Sequence, residues 1–134
     1  PGPPAIYTEN GILLIYNCAN DDPNKEGDPM LPNRAYCPGQ ALFDAADPTQ
    51  LLDRTNTYFM YPEKDYELEG LVNNVCFVEG LVYFQDAWYL YYGTADSRLA
   101  VAKFDPDSIV PVNKDDLDTA IEDASNLNSD LFTE

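Results

Sequence analysis

Two carboxylates, Glu79 and Asp96, stand at either end of the most apolar and aromatic stretch of the chain, residues 79–98. Carboxylates that flank a glycosidic bond cleave it, one as acid and the other as base or nucleophile. Tyr36, Trp88, Tyr91 and Tyr92 add flat apolar faces of the kind on which sugar rings stack. Strand alternation sends only one of Tyr91 and Tyr92 toward a site and the other into a core. Plainer roles stand beside these. Glu79 would serve equally as a strand-end carboxylate bonded to backbone amides, Asp96 as a turn former in 94–97, and Trp88 as core.

Other chemistries are closed off. The chain has no histidine, which removes the usual general base and the commonest metal ligand. Cys18, Cys37 and Cys76 form an odd set without C-x-x-C spacing, so neither a disulfide framework nor a zinc knuckle follows. The acidic run 20–28 lacks the spacing of a calcium loop, and no metal or cofactor is expected. Against 24 acidic residues stand 7 basic ones, a net charge of −17 that repels nucleic acid and anionic membranes. Neither a signal peptide nor a membrane span is legible, and the compartment stays open.

The elements that position the two acids are strands. Runs 81–84 and 88–92, rich in Tyr, Trp, Phe and Val, flank Gln85-Asp86 and predict a β-hairpin. Its open ends would lie side by side, bringing Glu79 and Asp96 to one site. Residues 5–20 repeat the pattern without gaps: Tyr7 matches Tyr83, Leu14 Leu90, Tyr16 Tyr92, Ala19 Ala95 and Asn20 Asp96. A third strand ending in Phe-Asp follows each hairpin, at 35–44 and 98–105. A loop is expected at 21–33, a weak fourth strand at 51–54, and a separate inner strand at 73–78. Between the repeats, 58–62 reads as extended, with Glu63, Lys64, Asp65, Glu67 and Glu69 in solvent. After Asn113, Leu117, Ala120, Ile121 and Ala124 have the spacing of a short helix, so 107–134 reads as an acidic helix and tail apart from 1–106.

Repeated units of three or four antiparallel strands are the blades of a β-propeller, an all-β fold. Two blades cannot close a ring. The expectation is a partial propeller, completed by residues of a longer protein.

Gly2-Pro3-Pro4-Ala5-Ile6, Leu14-Ile15-Tyr16, Tyr66-Glu67-x-x-Gly70-x-Val72-x-Asn74-Val75-x-Phe77 and Tyr91-Tyr92-Gly93-Thr94-Ala95-Asp96 together resemble glycoside hydrolase family 130. The resemblance runs over about 1–106 and implies the C-terminal part of a five-bladed propeller that acts on β-mannosides, by phosphorolysis or hydrolysis. It implies a general acid in the half not contained here, and a mannose-containing oligosaccharide as substrate. Asp96 would bind hydroxyls of the mannose being cleaved. Asn17 falls where phosphorylases of the family commonly carry a phosphate-site His, and Tyr36 near a Tyr that helps hold phosphate. Glu79-Gly80 replaces Cys-Gly. A lost His and a gained carboxylate fit activation of water, with inorganic phosphate as cosubstrate in the alternative and a non-catalytic sugar-binding propeller as a third expectation. The expected site is therefore Glu79 for catalysis, with Asp96, Tyr36, Asn17 and Tyr92 toward the sugar.

Overall fold

The hairpin is present and longer than the apolar runs that announce it. In the computed structural model, which describes residues 2–22 and 26–106, strands β5 (Cys76–Phe84) and β6 (Ala87–Thr94) pair antiparallel around Gln85 and Asp86. Both turn residues have positive φ, 48° and 59°, the backbone sense that matches the right-handed twist of the flanking strands. Strand β7 (Arg98–Phe104) pairs with β6 and completes a three-stranded sheet in the order β5-β6-β7.

The first repeat gives a four-stranded sheet in the order β1-β2-β3-β4: β1 (Ile6–Thr8), β2 (Gly11–Ala19), β3 (Tyr36–Phe43) and β4 (Leu51–Arg54). All of its pairings are antiparallel. The hairpin-plus-third-strand order thus recurs, and β2 and β6 begin at the aligned residues Gly11 and Ala87. The expected helix and tail beyond 106, and the boundary drawn there, lie outside the described residues.

The expectation of a separate inner strand at 73–78 is corrected. Cys76, Phe77 and Val78 are the first half of β5, which runs on through a β-bulge at Glu79. The bulge inserts one extra residue against the partner strand, so the alternation of sides slips by one. Cys76 and Val78 face the core before it, and Leu81 packs against the same core after it. Glu79-Gly80 looks like a strand break in sequence because it interrupts the period of two without ending the strand.

The core between the sheets gathers Ile15 of β2 with Cys76, Val78, Leu90 and Tyr92, and Met60 packs against it. Buried without an opposing charge, the Cys76 thiol is pushed up to about 12, chiefly by burial. A second cluster joins Leu31, Ala35 and Cys37, with Tyr58 against it. The two sheets also meet through backbone: Tyr36 at the start of β3 bridges in parallel to Val75, and its N–H donates to the Asn74 carbonyl at 2.9 Å.

Glu63, Lys64, Asp65 and Glu69 are exposed as expected, and Glu67 alone departs from the solvated reading. Helix α1 (Asp65–Leu68) forms there, and Glu67 on it is buried at 3% exposure. A carboxylate survives burial only when hydrogen-bonded. Glu67 Oε2 accepts from the N–H groups of Glu63 and Lys64, each at 2.9 Å, and Oε1 from the Tyr92 hydroxyl at 2.7 Å.

Candidate functional site

Glu79 is the residue left over by the bulge: Val78 pairs with Tyr92, and Gly80 with Tyr91. Its side chain is exposed. Alternation sets Phe77 and Tyr91 on the same face of the sheet, the face turned away from the core. Tyr36 joins them there, its ring centroid 5.7 Å from that of Phe77 at 55°. Phe77 and Tyr91 thus share the outward face of this sheet, Tyr36 of the other sheet packs on Phe77, and the exposed Glu79 falls at the bulge between Val78 and Gly80. Phe77 was missed by sequence reasoning, although it lies two residues before Glu79, at the spacing that shares a strand face.

Asp96 sits in the turn between β6 and β7, exposed, with φ of 50° beside Ala95 at 47°. Segment 70–75 clamps that turn. The Ala95 N–H donates to the Val75 carbonyl at 3.1 Å, the Val72 N–H to the Ala95 carbonyl at 3.2 Å, and the Leu71 N–H to Ser97 Oγ at 2.9 Å. Gly70 is required by this approach, since a Cβ there would run into the Ala95 carbonyl oxygen and stand 2.5 Å from Ser97 Oγ. Val75 carries both links, to Ala95 and to Tyr36, and so ties the Asp96 turn to the aromatic face.

The expected side-by-side placement of the two acids is corrected by the register. Cys76 lies opposite Thr94, so Glu79 is about four strand steps from the level of Asp96, on the order of 13 Å at 3.3 Å per step. The two acids therefore stand at different levels of the strand pair rather than side by side.

Three further expectations move. Tyr92 is the core-facing member of its pair, 5% exposed, with its hydroxyl engaged by Glu67, while Tyr91 is 40% exposed. Burial and the bond to Glu67 hold the Tyr92 phenol far above its ordinary range. Tyr92 therefore turns to the core, and Tyr91 is the ring presented outward. Asn17 does not project as an open ligand group. Its Oδ1 accepts from the Val78 N–H at 2.8 Å and its Nδ2 donates to the Val78 carbonyl at 3.0 Å. Trp88 is half-buried rather than in the core, with its ring centroid 5.0 Å from that of the exposed Tyr83.

A cleft of about 640 Å³ opens between the sheets, lined among others by Ile15, Phe59, Leu81, Trp88 and Tyr92. Glu79, Asp96, Asn17 and Tyr36 do not line it. The carboxylate face and the inter-sheet cleft are separate features.

Comparison with known proteins gives the class of this antiparallel all-β chain. The chain belongs to glycoside hydrolase family 130, whose model, described as beta-1,4-mannooligosaccharide phosphorylase, matches residues 1–115. A beta-1,2-mannobiose phosphorylase of Thermoanaerobacter sp. (strain X514) is 37% identical over 108 residues, 81% of this chain and 32% of that protein. A glycosyl hydrolase from Bacteroides ovatus is similar in structure, with TM-score 0.75 and 46% identity over 81% of this chain and 30% of its own. Another solved structure, 44% identical with TM-score 0.75 and the same coverage, is described within a study of family 130 glycoside hydrolases that target beta-1,2 mannosidic linkages in Candida mannan. The chain spans about a third of the length of these relatives.

Proposed function

We propose that the complete protein cleaves β-mannosides and that water is the acceptor. This chain would supply about two blades of a five-bladed propeller, with Glu79 helping to activate water and Asp96 binding hydroxyls of the mannose. Tyr36 and Tyr91, with Phe77, would form the apolar wall for the sugar rings, and the general acid would come from residues outside this chain. The observation that carries the choice of water is the exposed Glu79 carboxylate at the bulge. A carboxylate accepts a proton from water, whereas it repels an incoming phosphate. The two solved relatives described as hydrolases are also more identical to this chain, at 46% and 44%, than the phosphorylase at 37%.

Phosphorolysis is the second reading, and the curated relatives favour it directly. The three that match at 36–38% identity are all named phosphorylases. Product analysis separates the two. The full-length protein is given a β-mannoside with and without inorganic phosphate, alongside its Glu79→Gln variant. Free mannose in both conditions, and turnover reduced about 10²–10⁴-fold in the variant, is the expected result. Mannose 1-phosphate rising with added phosphate, undiminished in Glu79→Gln, overturns hydrolysis in favour of phosphorolysis.

A further inference from the structure

We propose that Asn17 is a positioning residue for Glu79, acting by holding both backbone groups of Val78. The inference rests on the water-activating role of Glu79 given above. Among the described residues, strand β5 is the edge of its sheet, paired with β6 on one side. An edge strand presents unpaired N–H and C=O groups on its open side. At Val78 those two groups meet one amide side chain, with Oδ1 and Nδ2 of Asn17 at 2.8 and 3.0 Å. Asn17 therefore replaces, for a single residue, the neighbouring strand that β5 lacks.

The position of this bond pair gives it its consequence. The next residue is Glu79, where the ladder to β6 is interrupted by the bulge. Bulged residues have no partner of their own, so their orientation depends on the residues that flank them. Val78 is held on three sides: its side chain is fully buried in the core, β6 pairs with it on one edge, and Asn17 closes the other. The anchor is rigid in turn. Asn17 lies within the nine-residue strand β2, whose pairing with β3 continues on both sides of it, through Tyr16 opposite Gly39, Asn17 opposite Pro38 and Cys18 opposite Cys37. A proton-accepting carboxylate works only from a narrow range of positions, and a displacement of about 1 Å costs on the order of 10²-fold in rate.

A purely structural amide and a positioning amide differ in what they move. The test uses the full-length protein and the variants Asn17→Ala, Asn17→Asp, Glu79→Gln and Asn17→Ala/Glu79→Gln. Asn17→Asp keeps the acceptor for the Val78 N–H and the size of the side chain, and so covers the case in which the alanine variant does not fold. The expected result has three parts: faster exchange of the Val78 amide hydrogen in the alanine variant, a kcat for β-mannoside hydrolysis lowered about ten- to a hundredfold in both Asn17 variants with KM nearly unchanged, and little further loss when Asn17→Ala is added to Glu79→Gln. A raised KM at constant kcat would instead make Asn17 a ligand contact, and unchanged Val78 exchange would remove the clamp; either overturns the inference. Full turnover by Glu79→Gln would remove the water-activating role itself. A crippled Glu79→Gln beside Asn17 variants of normal kcat defeats this inference alone.

Discussion

The Tyr92 hydroxyl donates to Glu67 Oε1 at 2.7 Å, joining the middle strand of the second sheet to helix α1. Through Glu67 the bond reaches further, because the other carboxylate oxygen gathers the N–H groups of Glu63 and Lys64. The backbone carbonyl of Glu67 then accepts from Val75, which in turn accepts from Ala95 next to Asp96. One buried carboxylate thus underlies the turn that carries the proposed sugar-binding acid.

Tyr92→Phe removes that hydroxyl and leaves Glu67 buried with two donors rather than three. Hydrogen bonds to charged groups contribute about 1.5–3 kcal/mol, and the variant should be less stable by that amount. Urea denaturation of the two proteins measures it. A difference within error would mean that the Tyr92–Glu67 bond adds nothing net.

Acid should find the same carboxylate. Burial raises the Glu67 pKa, but the bonds from Glu63, Lys64 and Tyr92 outweigh it, and the group titrates below its ordinary value. The folded state therefore binds its proton less readily than the unfolded state, and stability rises with pH through this window. The contribution is fully present above the ordinary glutamate range of about 4.3 and disappears as pH falls through the lowered folded value. Stability measured from neutral pH downward should decline more steeply in the native protein than in Glu67→Gln. Parallel curves would exclude Glu67 as a source of the acid sensitivity.

Sequence reasoning located the hairpin because its residue types suit a half-buried pleat, and it placed Leu51–Arg54 as a fourth strand correctly. It could not distinguish a bulge from a break at Glu79, since both interrupt the period of two. Glu67 was lost among Glu63, Lys64, Asp65 and Glu69, where nothing local marks the one acid that turns inward. Alternation required that Tyr91 and Tyr92 face opposite sides but left open which was which, because alternation alone does not say which face of the sheet meets the core. The bonds between Asn17 and Val78 span 61 positions and have no local signal at all.

Two glycines should respond differently to alanine. At Gly70 a Cβ meets the Ala95 carbonyl and Ser97 Oγ, so Gly70→Ala should destabilise by about 1–3 kcal/mol and displace the Asp96 turn. At Gly80 the nearest atom is Tyr91 Cβ at 3.6 Å, an ordinary contact, and Gly80→Ala should fall within about 0.5 kcal/mol of neutral. Thermal denaturation of both variants checks the ranking; equal effects would refute the close approach at Gly70.

For Asp96→Asn in the full-length protein, a neutral amide takes the place of the carboxylate proposed to accept from sugar hydroxyls. A charge-assisted bond of about 1.5–3 kcal/mol corresponds to binding weakened roughly ten- to a hundredfold. Calorimetric titration with a mannooligosaccharide, supported by an unchanged melting curve, reads it directly. Undiminished affinity would take Asp96 out of the sugar site.

The bulge has one more consequence, for how such a site can change over evolutionary time. Because Glu79 is the surplus residue of β5, the inward-facing positions on either side of it, Val78 and Leu81, keep their places whatever side chain stands at 79. Mutational drift at that position is uncoupled from the packing of the two sheets. A scaffold of this kind can exchange the side chain at its bulge without redesigning its interior.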